Sequence, residues 1–365
     1  MSIYKLPKTG FTYITGQIGS FLSFFLSHTK RKTLIFYEAE DEALLVKEET
    51  EFFSKDIVYI YPIYSNRVFE KEDEAKRTAF LHHLATDESF IGLYPYSAVG
   101  HQIIDQNSIL ANTKVIHFGD TVFQEDLIHY LDDHGYELAT LVREEGEYAR
   151  RGSIIDVFSS SSGRPVRIEF LGDEIYSLRF FDPLSQRSTK EVEQCTLAPV
   201  KSVMSGNTTI SDYIQENMIL VHKGFSHFEK AIEENIVVPV YIEELKKRFL
   251  SNLNIDISGI QDKDSDVIEA LSNEDLRHLF ALRKTEIFKT LSEKMMTDWS
   301  NCRFVYLFAS SSHQAERLQD IFQNYGIPIP LLGGMSFPKK EKEWGIVVGP
   351  LRRGFRTDDV ILLTE

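Results

Sequence analysis

The stretch Arg150-Arg151-Gly152-Ser153-Ile154-Ile155-Asp156-Val157-Phe158 is followed, after a serine-rich turn, by Arg164-Pro165-Val166-Arg167-Ile168-Glu169-Phe170-Leu171-Gly172-Asp173-Glu174-Ile175. It reads as short strands joined by tight turns. Alternate residues of a strand share a face. Val166, Ile168 and Phe170 therefore point to one side, expected to be a core, and Arg167, Glu169 and Leu171 to the other. Gly172-Asp173 lies between the runs 166–171 and 174–181 and suits a two-residue hairpin, although Asp-Gly is the preferred order. With a helix over 123–133, these strands predict a small α+β unit across residues 119–204.

Outward from this unit the pattern changes. Residues 11–118 alternate β-branched or aromatic runs with helical patterns: strands at 11–14, 33–37, 57–60 and 90–93, and helices at 40–53 and 71–84. Such alternation implies a parallel sheet with helices on its faces. It returns after residue 205, with strands at 218–221, 303–308, 346–348 and 360–363 and a helix at 312–325. Ser312 is the expected N-cap of that helix and Gly326 its C′ glycine. The charged segment 255–301 is expected to be mostly helical. The predicted fold class is thus α/β, a split parallel-sheet domain with a small α+β domain inserted. The predicted segments are 1–118, 119–204 and 205–365.

Bulk properties bound the function. The chain has 365 residues with 42% apolar and 26% charged, enough to bury a core without disulfides or metal. A net charge of -15 argues against the whole surface binding nucleic acid, though a local basic face stays open. Cys195 and Cys302 are far apart and outside any Cys-x-x-Cys pair, which fits a reducing cytoplasm and no cysteine metal site. The apolar run 21–26 is too short to span a bilayer and reads as a buried helix.

The first strand leads into Thr15-Gly16-Gln17-Ile18-Gly19-Ser20-Phe21. A P-loop needs Lys and then Ser or Thr after its second glycine, to reach phosphate oxygens and Mg²⁺. Ser20 and Phe21 stand in those places, so the turn over Thr15, Gly16 and Gly19 survives without its cation or metal ligand. No nucleotide hydrolysis, cofactor or metal is expected. His82 and His83 are adjacent rather than four apart, which does not suit a helical zinc pair. Glu40, Asp41 and Glu42 read as acids complementing a helix start. No catalytic residue is assigned. Arg167 and Leu171 on one sheet face, with Arg150 and Arg151 upstream, make either a docking patch or a solvated charged face. The residues alone leave that choice open.

Residues 145–188 resemble, densely and in order, the domain 2 signature shared by the excinuclease protein UvrB and the transcription-repair coupling factor (Mfd). Weaker similarity covers most of the chain, including the degenerate P-loop region and the segments "SSSHQAERLQDIFQNYGI" and "VVGPLRRGFRTDDVILLTE". Two departures point to the coupling factor: the missing P-loop Lys, and a connection at 65–74 too short for the DNA-inspecting hairpin of UvrB. The resemblance implies domains 1a, 2 and 1b, the split domain 1 being of degenerate RecA or P-loop type, with domain 2 binding UvrA through two arginines and an aromatic. These fall on Arg151, Arg167 and Leu171, the last a departure that loses the ring. It implies a non-catalytic recruiting module of nucleotide excision repair, with RNA polymerase and DNA as partners of a longer, ATP-driven translocase. The chain is expected to be a fragment, or a lineage without the motor. The alternatives are a UvrB-like repair ATPase or helicase, and a direct DNA-binding module.

Overall fold

The computed structural model describes residues 9–15, 20–54, 57–63, 71–201, 208–235, 245, 247–249, 251–257, 266–272, 286–297, 299, 302–333, 342–351, 353–357 and 359–364. The first part of the chain alternates strands and helices: β1 (Gly10–Thr15), α1 (Phe21–Leu26), β2 (Thr33–Tyr37), α2 (Glu40–Ser54), β3 (Val58–Ile60), α3 (Lys71–Thr86) and β4 (Ile91–Pro95). Every residue of β2 and β4 is buried, as in strands covered on both faces. A short helix, α4 (Gln106–Ala111), follows, and the Asp105 carboxylate at its start accepts the Ser108 N–H at 2.9 Å.

The chain then leaves this sheet. It builds β5 (Lys114–His117), α5 (Gln124–Asp133), β6 (Glu137–Leu138), β7 (Glu147–Arg151), β8 (Ile154–Val157), β9 (Val166–Leu171), β10 (Glu174–Phe181), β11 (Ser188–Glu191) and β12 (Gln194–Leu197). Strands β6 to β11 form one six-stranded sheet in the order β11-β10-β9-β8-β7-β6, while β5 and β12 pair separately. Leu127 and Leu131 of α5 pack against Ile155, Val166, Ile168 and Phe170, so the inward face of β9 is the one its alternation predicts. Ile116 of β5 joins the same core. Strand β5 also pairs, antiparallel, with β12 at the far end of this stretch.

After the insertion the first sheet is completed by β13 (Ile219–His222), followed by α6 (Phe225–Asn235), β14 (Leu253–Asp256) and β15 (Asp266–Glu269). Its order is β15-β1-β14-β13-β2-β4-β3, with every pairing parallel. Then come β16 (Leu271–Ser272), α7 (Ile287–Met296), β17 (Phe304–Ala309), α8 (Ser312–Asn324), β18 (Leu331–Leu332), β19 (Glu343–Val348), β20 (Phe355–Arg356) and β21 (Val360–Leu363). They make a second sheet in the order β16-β20-β21-β17-β19-β18, in which only the pairings of β20 are antiparallel. Residues 205–365 thus serve two sheets. The fold is a split α/β body with a small inserted domain.

Two local expectations need correction. The segment 255–301 is not mostly helical where it is described: it holds the end of β14, then β15 and β16, and one ten-residue helix, α7. These strands are four residues or fewer, too short to show a period, and β14 and β15 exist because they flank β1. The N-cap of α8 is Ser311 rather than Ser312, its side chain accepting the Gln314 N–H at 3.3 Å. Gly326 adopts φ +80° just past the end of α8. No helix among the described residues is long and apolar enough to cross a membrane.

The two parallel-type sheets share one core, to which the first contributes Ile35, Tyr37 and Val221 and the second Phe304, Phe308 and Val360. Helix α1, buried along its whole length, lies at this junction. The Phe21 ring meets Phe355 edge-on at 5.1 Å, and Phe24 lies 5.4 Å from the same ring.

Candidate functional site

The outer face of the inserted sheet carries the three residues singled out for partner binding. Register places them. Arg151 pairs with Ile154, which pairs with Glu169, and Leu171 lies two residues further along β9. All four share the face turned away from the core. Arg151 is not on the strand next to β9 but two strands over, with β8 between. Two strand spacings put its Cα about 10 Å from that of Glu169. Both hairpins that frame the face turn on a glycine in the first turn position: Gly152 at φ +59° between β7 and β8, and Gly172 at φ +64° between β9 and β10. A mirror-image two-residue turn with Gly first requires this conformation, so Gly172-Asp173 is a fitting order rather than a reversed one.

The three residues differ in what they are free to do. Leu171 is 67% exposed, at the end of β9. Arg151 is exposed, its guanidinium donating to the Thr140 carbonyl at 3.0 Å. Arg167 is committed internally. Its Nε donates to Asp156 Oδ1 at 2.7 Å and its Nη2 to Asp156 Oδ2 at 2.9 Å, a two-pronged pair with a carboxylate that is 1% exposed. Its guanidinium carbon also lies 5.0 Å from the centre of the Phe181 ring. The Asp156 hydrogen bonds and charge hold the guanidinium pKa above its ordinary value.

The reason lies in a second layer that the strand pattern does not reveal. At the Arg167 end, Val142, Ala149 and Phe181 form a small buried cluster on the outer side of the sheet. Gln186, at φ +59°, donates to the Val142 and Pro183 carbonyls and holds the 182–187 loop across it. Arg167 is therefore roofed, while Arg151, Ile154, Glu169 and Leu171 lie beyond the roof. Strand alternation puts Arg167 on the outer face, and there it meets a buried carboxylate rather than open solvent. It is part of what holds β8 to β9. Arg150 also separates from Arg151. It pairs with the inward-facing Ile155, and its guanidinium meets Glu125 of α5 at 2.7 Å.

Sequence reasoning missed Asp156, a charge in the run Ile154-Ile155-Asp156-Val157. A lone acid between β-branched residues is the available signal, since an acid buried there needs a cationic partner. It also missed Tyr176, 61% exposed in β10. Its neighbours Ile175 and Leu178 are both buried although three apart, an odd step that breaks the two-residue period and marks a bulge.

At the degenerate P-loop, Thr15 ends β1, while Gly16 and Gly19 lie outside the described residues. Ser20 is buried. Its hydroxyl donates to Glu49 Oε1 of α2 at 2.7 Å, and its N–H to the Arg353 carbonyl at 3.1 Å. Phe21 is fully buried. Where a P-loop presents Lys and a hydroxyl to phosphate, this chain sets a carboxylate-bonded Ser and a core ring. The connection at 65–74 is described only from Lys71, the start of α3, onward. His82 is buried, and burial lowers its pKa to about 4. Among the described residues no group of three or more His, Cys, Asp or Glu is placed to hold a metal ion. Cys195 and Cys302 carry no disulfide, and burial raises the Cys195 thiol to about 12.

Residues 115–202 match the family model described as the UvrB interaction domain, and these are the residues of the inserted sheet and its helix. The fold and this match define a class: an α/β body carrying a UvrB-type interaction domain. The particular proteins to which the chain is similar are transcription-repair-coupling factors. That of Escherichia coli K12 is 34% identical over 125 residues, 34% of this chain and 11% of the relative. That of Haemophilus influenzae is 23% identical over 289 residues, 74% of this chain and 24% of the relative. That of Bacillus subtilis is 27% identical over 165 residues, 45% of this chain and 13% of the relative. The chain spans about a quarter or less of the length of these relatives.

Proposed function

We propose that the inserted domain is a docking module for UvrA, and that it recruits UvrA to stalled transcription in nucleotide excision repair. The supporting observation is the coincidence of the UvrB interaction domain match with a sheet whose outer face leaves Arg151 and Leu171 exposed beyond the 182–187 loop. Guanidinium groups suit two-pronged pairing with partner carboxylates, and arginine is common among residues that dominate interfaces. In this reading Arg151 and Leu171 contact UvrA, while Arg167 holds the face in shape. The partition into 1–118, 119–204 and 205–365, with RNA polymerase and DNA as partners of a longer parent, belongs to the same proposal.

The test is calorimetric titration of the chain with UvrA from the same source. Arg151→Ala is expected to weaken binding by about 2 kcal/mol, roughly thirtyfold, with an unchanged circular dichroism spectrum. Binding equal to that of the parent would place the contact elsewhere.

The second part of the proposal is that the chain itself neither binds nor hydrolyses ATP. Ligand that binds the native state raises the melting temperature. Saturating ATP with Mg²⁺ is expected to leave it unchanged, and a clear upward shift would overturn this part alone.

A further inference from the structure

We infer that Tyr176 supplies an aromatic contact on the docking face, beside Leu171. The inference rests on the UvrA-docking reading above. In the β9–β10 hairpin Leu171 pairs with Glu174 and Phe170 with Ile175, but Glu169 pairs with Ser177. One residue of β10 is therefore surplus to the ladder, and it is Tyr176. Ile175 points into the core, so its neighbour Tyr176 turns outward, and the register of Ser177 with Glu169 keeps it there. A bulge re-aims a side chain in this way. The ring ends on the side of Glu169 and Leu171, diagonally across from Leu171 and within the reach of large side chains, about 7–8 Å.

Two large apolar side chains thus stand exposed together on a face that also holds Arg151. A tyrosine ring offers broad, stiff contact area, and its hydroxyl can bond to a partner. Tyr and Arg are the residue types that dominate binding energy at well-packed interfaces. An aromatic and an arginine on one open face, with Leu171 between strands as apolar support, suit a partner surface with a pocket for a ring and a carboxylate for a guanidinium.

Calorimetry with UvrA from the same source tests this with four proteins besides the parent: Tyr176→Ser, Leu171→Phe, the double variant Tyr176→Ser/Leu171→Phe, and Leu44→Ser. Leu44 is exposed on α2 of the α/β body and controls for loss of apolar surface in general. Tyr176→Ser is expected to bind about tenfold or more weakly, and Leu44→Ser like the parent. Leu171→Phe is expected to bind at least as tightly as the parent and to restore binding in the double variant. If the parent binds and Tyr176→Ser binds equally well, or if Leu44→Ser loses as much, the assignment to Tyr176 is wrong. If the parent does not bind, the docking reading itself falls, and that outcome is distinct from failure of Tyr176 alone.

Discussion

Arg167→Ala is expected to destabilise the inserted sheet by about 3 kcal/mol, because it strands a buried carboxylate. Asp156 is almost wholly enclosed, and both its oxygens are taken by the Arg167 guanidinium. Breaking such a pair from one side leaves an uncompensated charge in a medium that solvates it poorly. The guanidinium is itself partly exposed, which places the expected cost at the lower end for a buried pair. Removing both charges is a different matter. Asp156→Leu/Arg167→Met is expected to recover most of the loss, since an apolar pair of similar volume has neither charge to desolvate. Thermal unfolding of the parent and both variants, with amide exchange followed in β8 and β9, measures this. An Arg167→Ala protein as stable as its parent would mean that the pair contributes nothing to the fold. The same result bears on binding studies. An Arg167 variant that fails to bind UvrA reports on the order of the sheet before it reports on a contact.

Phe21→Thr, which installs the residue type that a working P-loop would carry, is expected to cost about 3–5 kcal/mol rather than to create a nucleotide site. Phe21, the first residue of α1, is fully buried, its ring 5.9 Å from that of Phe25 and 5.1 Å from that of Phe355 in β20. Truncating the ring opens a cavity where the two sheets meet and places a hydroxyl in an apolar setting. Ser20→Lys would meet equal resistance, since Ser20 is buried with its hydroxyl on Glu49. The measurement is thermal unfolding of Phe21→Thr with and without ATP and Mg²⁺. A melting temperature near that of the parent, or one raised by ATP, would show that α1 is not the packing element described above.

Several features were legible in the chain's own pattern. The alternation of Val166, Ile168 and Phe170 with Arg167, Glu169 and Leu171 is local, and the burial of β9 follows it residue by residue. The strand-helix alternation on either side announced a parallel sheet, and the substitutions after Gly19 were plain in the sequence. Other features were not legible. β14 and β15 are short, and they are strands because β1 lies between them, more than two hundred residues away in sequence. Tyr176 faces outward through a bulge that appears only when β10 is set against β9.

What the sequence determined by itself is therefore the face on which each strand residue lies, because side-chain alternation is a property of a single strand. What lies across from that residue, and above it, only the tertiary structure decided. Arg151, Arg167 and Leu171 share one face by parity. Whether each meets solvent depends on strand order and on the loop that crosses the sheet. β8 sets Asp156 beside Arg167, and the 182–187 loop roofs that end and leaves Arg151 and Leu171 open. Strand order and loop path arise from packing among distant segments, and no period within one strand records them.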